Sequence, residues 1–167
     1  KNYLNDEHLS IGTREYLRVL NAGGRPVESL PVAEARKVLA DVQAAVEVDL
    51  SGIDEREREI VADGHALTLH LVRPHGSRGR PPYFVFIHGG GWVLGDYPTH
   101  RRLVRDLVVE SEVAAVFVDY TPSPEAKYPQ AVDEIYAAVK WVAENDAELD
   151  LDRRRMALVG NSAGGNM

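Results

Sequence analysis

Apolar residues return every three or four positions over residues 9–20 and 31–46, the spacing of two amphipathic helices. In the second, Val32, Ala35, Val38, Leu39, Val42 and Val46 share a face, and Pro31 suits a first-turn position. Gly23-Gly24-Arg25-Pro26 separates them. Both apolar stripes need cover, so residues 1–50 read as an N-terminal extension that packs on something else.

The period then changes. Residues 57–63 and 66–73 read as strands around Asp63-Gly64, the second with Leu67, Leu69 and Leu71 alternating against Thr68, His70 and Val72, which predicts an antiparallel hairpin. Pro74 to Pro82 is a loop rich in Gly, Pro, Ser and Arg. Tyr83–Ile87, Ala114–Val118 and Met156–Val159 are short apolar runs without alternation, as expected of parallel strands covered on both faces. Between them, Arg101–Glu112 and Pro129–Glu148 return to helical spacing. The order β-β-β-α-β-α-β predicts an α/β domain over residues 51–167, mostly parallel after its opening hairpin, with right-handed crossovers.

Composition narrows the chemistry. Of 167 residues, 44% are hydrophobic and the net charge is −7, enough apolar material for a core and the wrong sign for nucleic acid. The short basic run Arg153–Arg155 reads as a solvated turn. No apolar run reaches membrane-spanning length, and the N-terminal Lys-Asn-Tyr-Leu-Asn-Asp-Glu has no signal-type segment, so the expected location is cytoplasmic. Without cysteine there is no thiolate nucleophile and no cysteine metal site. No His/Asp/Glu grouping has metal spacing, no glycine motif fits a nucleotide loop, and neither metal nor cofactor is expected.

Two segments carry chemistry. Gly160-Asn161-Ser162-Ala163-Gly164 fits G-x-S-x-G directly after a predicted buried strand, a context in which a sharp turn holds a serine hydroxyl at the end of a sheet. Taken alone, the pattern also fits any glycine-serine turn. His88-Gly89-Gly90-Gly91-Trp92 follows another such strand, at the same carboxyl edge. Each glycine costs about 1 kcal/mol relative to alanine within a regular element, which makes sense where bare N–H groups must approach a ligand closely. Gly90 and Gly91, with Ala163, could supply oxyanion donors, each worth about 3 to 4 kcal/mol in a transition state. A flexible loop is the competing reading.

Together these segments, about 70 residues apart, resemble the paired signatures of the hormone-sensitive-lipase-like carboxylesterases of the α/β-hydrolase fold. Gly95, His100, Asp119-Tyr120-Thr121-Pro122-Ser123-Pro124-Glu125 and Tyr128-Pro129-Gln130-Ala131 resemble further stretches of that family. The resemblance implies that Ser162 is the nucleophile, that Gly90, Gly91 and Ala163 form the oxyanion hole, and that the two N-terminal helices contribute to a cap. It also implies that the catalytic Asp and His follow the serine in chain order, beyond Met167, on a missing C-terminal segment or a second polypeptide. Where the family usually has an acidic residue before the serine, this chain has Asn161.

The implied reaction is two-step acyl transfer on a small-molecule ester of short to medium acyl length, with the 167 residues inactive by themselves. A strand-to-turn ending without a following helix suggests a fragment, a clipped product or a divided chain. The competing classes are a non-catalytic small-molecule binder on the same fold and a structural half that assembles with a second polypeptide; a homo-oligomer is compatible with either.

Around the core motifs, His88 reads as a brace for the glycine loop or a proton carrier, and Glu125 as a loop-ordering or merely exposed carboxylate. Trp92 reads as a pocket wall or a loop anchor. His100 is expected to start or cap the next helix, and Asp119 to bond a neighbouring loop. His8, His65, His70 and His75 show no ligand spacing.

Overall fold

The computed structural model describes residues 3–22 and 24–167. Lys1, Asn2 and Gly23, which enter the readings of the N-terminus and of the helix-separating stretch, lie outside the described residues. The chain forms two compact units, Lys1–Ala35 and Arg36–Met167. In the smaller, α1 (Ile11–Leu20) opens where the Ser10 side chain accepts a hydrogen bond from the Thr13 N–H at 3.1 Å. Such a cap satisfies one of the donors a helix start leaves bare. Helix α2 (Val32–Ala44) begins in the smaller unit and continues in the larger, immediately after Pro31.

The larger unit is built on five strands, β1 (Ile53–Ala62), β2 (His65–Pro74), β3 (Tyr83–Ile87), β4 (Ala114–Asp119) and β5 (Met156–Gly160). Their spatial order is β1-β2-β4-β3-β5. The predicted hairpin forms around Asp63-Gly64, and β2 also pairs antiparallel with β4, while β3 lies parallel to both β4 and β5. Strand β1 starts at Ile53, four residues before the predicted start, because the charged run Asp54–Glu59 lies exposed on a sheet edge where polarity does not oppose pairing.

Alternation sends successive residues of the central strands to opposite faces. Leu69, Leu71, Val85, Ile87, Val116 and Val118 pack with Ile135, Ala138 and Val142 of α4 (Gln130–Glu144). On the other face Val72, Phe84, Phe86 and Phe117 pack with Val104 and Val108 of α3 (Tyr97–Ser111). Central strands buried on both sides have no polar face to alternate, which is why β3 and β4 read as continuous apolar runs. Strand β5 departs from that expectation. Among the described residues it pairs on one side only, and its residues are half-buried or exposed.

Helix α3 starts four residues earlier than its apolar spacing suggests. Asp96 accepts from the Thr99 N–H at 2.9 Å while the Thr99 hydroxyl faces the Asp96 N–H at 2.9 Å, a reciprocal cap, and Pro98 fits the first turn. His100 therefore lies inside the helix and neither starts nor caps it. Helix α4 ends at Glu144 rather than at Glu148, as the chain turns to bring Leu149 and Leu151 into the core.

Candidate active site

Because β3 and β5 are parallel neighbours with Ile87 opposite Gly160, the segments leaving them emerge side by side, one strand spacing of about 4.8 Å apart. The segment after β5 turns at once into α5 (Ala163–Asn166), with Ser162 at φ 51° and ψ −120°. A non-glycine residue in that region is strained, and such strain persists only where the surroundings over-determine it. They do so here by crowding. A Cβ on Gly164 would lie 2.0 Å from the Ile87 carbonyl oxygen, and one on Gly160 would lie 2.5 Å from the Gly164 oxygen. Ser162 itself is exposed, and its hydroxyl has no hydrogen-bond partner among the described residues.

The segment after β3 comes into contact with this turn. A Cβ on Gly89 would meet the Asn161 carbonyl oxygen at 2.7 Å and the Ser162 Cβ at 3.0 Å. The Gly90 carbonyl then accepts from the N–H groups of Val93 and Leu94, at 3.2 and 2.9 Å, curling the chain back on itself with Gly90 at φ +124°. The N–H groups of Gly90, Gly91 and Ala163 take no partner within the chain among the described residues. Two of these unpartnered donors follow Gly89, which meets the Ser162 Cβ, and the third directly follows Ser162 in the chain.

Asn161 ties the two segments together. Its Oδ1 accepts from the Gly89 N–H at 2.9 Å, and its Nδ2 lies 3.4 Å from His100 Nε2. His88 is buried, donates from Nδ1 to the Gly89 carbonyl at 2.8 Å, and stacks on Tyr120 and Phe117. Burial holds its pKa below the ordinary histidine range, against the opposing pull of the Gly89 carbonyl. The Tyr120 hydroxyl donates to the His88 carbonyl at 2.9 Å, and burial pushes that phenol up to about 12.

The far end of the glycine segment is held from α2. The Arg36 guanidinium donates to the Val93 carbonyl at 2.8 Å, to the Ser123 carbonyl at 3.0 Å, and through two nitrogens to the Glu125 carboxylate at 2.8 and 2.7 Å. Hydrogen bonding to Arg36 brings the Glu125 pKa down to about 2. The Trp92 carbonyl accepts from the Ser123 N–H at 2.7 Å. Its half-exposed side chain lines a cavity of about 480 Å³ together with Ser123, Tyr128, Val132, Asn166 and Met167.

Two residues that order the site have no sequence signal. Arg36 finds Glu125 across 89 positions, and buried Glu134 accepts from the Thr121 N–H at 2.7 Å, pinning the start of the next loop. Among the described residues the Asp119 carboxylate bonds no loop; it faces His70 Nε2 at 2.8 Å across two paired strands. His70 is buried and stacked on Tyr97. Among the described residues no group of His, Asp and Glu could hold a metal ion, and no helix is long and apolar enough to cross a membrane.

A mixed sheet whose central strands are covered on both faces, with a strained serine turn at the carboxyl end of its parallel strands, has the arrangement of an α/β hydrolase. Residues 84–167 match the family model described as alpha/beta hydrolase fold. The chain belongs to that family, in the hormone-sensitive-lipase-like carboxylesterase group its motifs resemble. It is 41% identical over 112 residues to the carboxylesterase NlhH of Mycobacterium tuberculosis, an alignment covering 66% of this chain and 35% of that protein. With the ethyl acetate hydrolase of Pseudomonas putida it shares 29% identity, over 91% of this chain and 51% of the relative. The crystal structure of a thermostable esterase from Pseudomonas putida ECU1011 superposes with a TM-score of 0.94 at 51% identity, covering 96% of this chain and 51% of that one. The chain therefore spans between a third and a half of the length of these relatives.

Proposed function

We propose that this chain carries the nucleophile and oxyanion hole of a serine carboxylic ester hydrolase acting on small esters of short to medium acyl length. Ser162 attacks the ester carbonyl, the N–H groups of Gly90, Gly91 and Ala163 hold the oxyanion, the alcohol leaves, and water then releases the acid. The observation that carries this reading is the contact of the two turns: an exposed serine at φ 51° stands against Gly89, and the N–H groups of the next two glycines, Gly90 and Gly91, have no partner among the described residues. The carboxylesterase and ester hydrolase names of the relatives support the same reaction class.

His88, Asn161, Glu125 and Trp92 support the cradle without touching the reacting atoms, Trp92 also walling the cavity it shares with Asn166 and Met167. Residues 1–50 contribute cap helices, and residues 51–167 form the hydrolase core as far as the serine turn. No histidine among the described residues hydrogen-bonds the Ser162 hydroxyl. The base and its carboxylate are accordingly assigned to polypeptide other than these 167 residues, which alone should be slower than the completed enzyme by up to about 10⁶-fold. The reading includes a cytoplasmic location.

A fluorophosphonate probe tests the assignment. In polypeptide that contains these residues and completes the fold, the adduct should map to Ser162, and Ser162→Ala should abolish both labelling and hydrolysis of a short-chain nitrophenyl ester. Labelling at another residue, or turnover that survives the substitution, refutes it.

A further inference from the structure

We propose that Asn161 is a positioning residue that locks the glycine loop to the serine turn only while His100 is neutral, so that the Asn161–His100 pair sets an acid limit on the oxyanion cradle. The inference concerns the same site as the proposed hydrolase function and rests on that reading for its catalytic consequence, though not for the coupling itself.

The direction of every hydrogen bond in the lock follows from its two ends. The Gly89 N–H can only donate, so the atom of Asn161 facing it at 2.9 Å is the amide oxygen. The other end of the amide is then an NH₂ group, and it points at His100 Nε2 at 3.4 Å. To accept, Nε2 must keep its lone pair, which places the ring proton on Nδ1. There it faces the Asp96 carbonyl at 3.2 Å, a group that can only accept, and the Thr99 hydroxyl oxygen at 3.1 Å, whose own proton goes to that same carbonyl at 2.9 Å and leaves a lone pair for Nδ1–H. The result is one polarised chain from Gly89 N–H through the Asn161 amide and the neutral imidazole to the Asp96 carbonyl.

Protonating His100 puts a second N–H on Nε2, donor against donor. Rotating the amide to relieve that conflict turns its NH₂ toward the Gly89 N–H and breaks the tie between the two turns. The titratable groups facing the imidazole are His88, its ring 5.3 Å away on the glycine segment, and Asp96 at the start of α3. The rings of Phe86 and Phe117 complete the surroundings. Burial among these groups holds the His100 pKa below its ordinary range, keeping the neutral form dominant near neutral pH.

A carboxylate at position 161 reverses the logic. It has no donor to offer Nε2 and favours the imidazolium, so the Asn found here exchanges a charge-dependent tie for one that needs a neutral ring.

Nitrogen-15 NMR of the histidine rings and of the Gly89 amide reads this without turnover. His100 should be the Nδ1–H tautomer at pH 7, and the Gly89 amide should lose exchange protection by about tenfold or more with the midpoint of His100 protonation. Asn161→Asp should raise that midpoint by about one pH unit or more and keep Gly89 protected when the ring is charged. Asn161→Ala should leave Gly89 unprotected at every pH. Should that variant not fold, His100→Phe carries the same test, because Gly89 protection should then no longer change with His100's titration range. An Nε2–H tautomer, a Gly89 amide indifferent to Asn161→Ala, or pH-dependent protection surviving in His100→Phe overturns the proposal. Intact coupling in a protein that hydrolyses no ester refutes the hydrolase reading alone. Absent coupling in an active esterase refutes this one alone.

Discussion

The turns after β3 and β5 both use glycine where backbones crowd, but the turn after β3 also uses it where nothing does. At the serine turn glycine supplies room: added Cβ atoms on Gly160 and Gly164 would run into backbone at 2.5 and 2.0 Å. At Gly91 nothing lies within 4 Å of an added Cβ, and what the residue supplies is an uncovered N–H at φ +62°. One turn is locked by its own crowding. The other is crowded at Gly89 and Gly90, where added Cβ atoms would lie 2.7 and 2.0 Å from backbone oxygens, opens at Gly91, and is held in addition by side chains from elsewhere, Tyr120, Asn161 and Arg36.

The largest effect that could break this contrast is expected at Gly164. Alanine there must displace the Ile87 backbone, so Gly164→Ala should cost about 3 kcal/mol or more in urea unfolding, or prevent folding. Tyr120→Phe removes a buried donor and leaves the His88 carbonyl unsatisfied, with an expected loss of about 1 to 3 kcal/mol and faster amide exchange confined to the glycine segment. Gly91→Ala meets no atom and should cost only about 1 to 2 kcal/mol, from the left-handed backbone alone. If Gly91→Ala proved as damaging to stability as Gly164→Ala, the division between crowded and open glycines would fail.

Acid should loosen the turn after β3 gradually. Burial depresses the pKa of both His88 and His100, so the folded state binds fewer protons than the unfolded chain just below the ordinary histidine range. Their contribution to stability is fully present above about pH 6.5 and is lost as pH falls from there through the depressed folded values. Denaturant titrations at pH 7.5 and 5.5 check the sign, with greater stability expected at the higher pH. The smallest global effect is expected of Arg36→Ala. It breaks an exposed ion pair, which contributes little, yet it frees the Val93 and Ser123 carbonyls, so exchange should rise around residues 93 and 123 and not at the serine turn.

Much of this was readable from one chain, and the reason differs by region. β3 and β4 declare themselves because burial on both faces demands unbroken apolar runs, and the Leu67–Leu69–Leu71 alternation places the hairpin face. The start of α3 was hidden because a reciprocal Asp96–Thr99 cap extends a helix through residues that carry no apolar stripe. At the site, glycines and a serine behind predicted strands are local signals. Arg36 and Glu134 are not, since each works through a partner that only the folded topology brings near, and no spacing along the chain encodes it. Asn161 stood out as a departure from a familiar pattern, but its meaning depends on which nitrogen of His100 it faces.

The outermost strand shows what a sequence does about contacts it must refuse. Along β1 the run Asp54-Glu55-Arg56-Glu57-Arg58-Glu59 leaves its outer rail of peptide groups unpaired among the described residues, yet lined with fixed charge. Another copy laid antiparallel against that rail would bring ionised side chains into register and strip them of water for little apolar gain. At high concentration, fibril growth should therefore not nucleate along this margin, and the charges that contribute nothing to the core act as a fence between molecules.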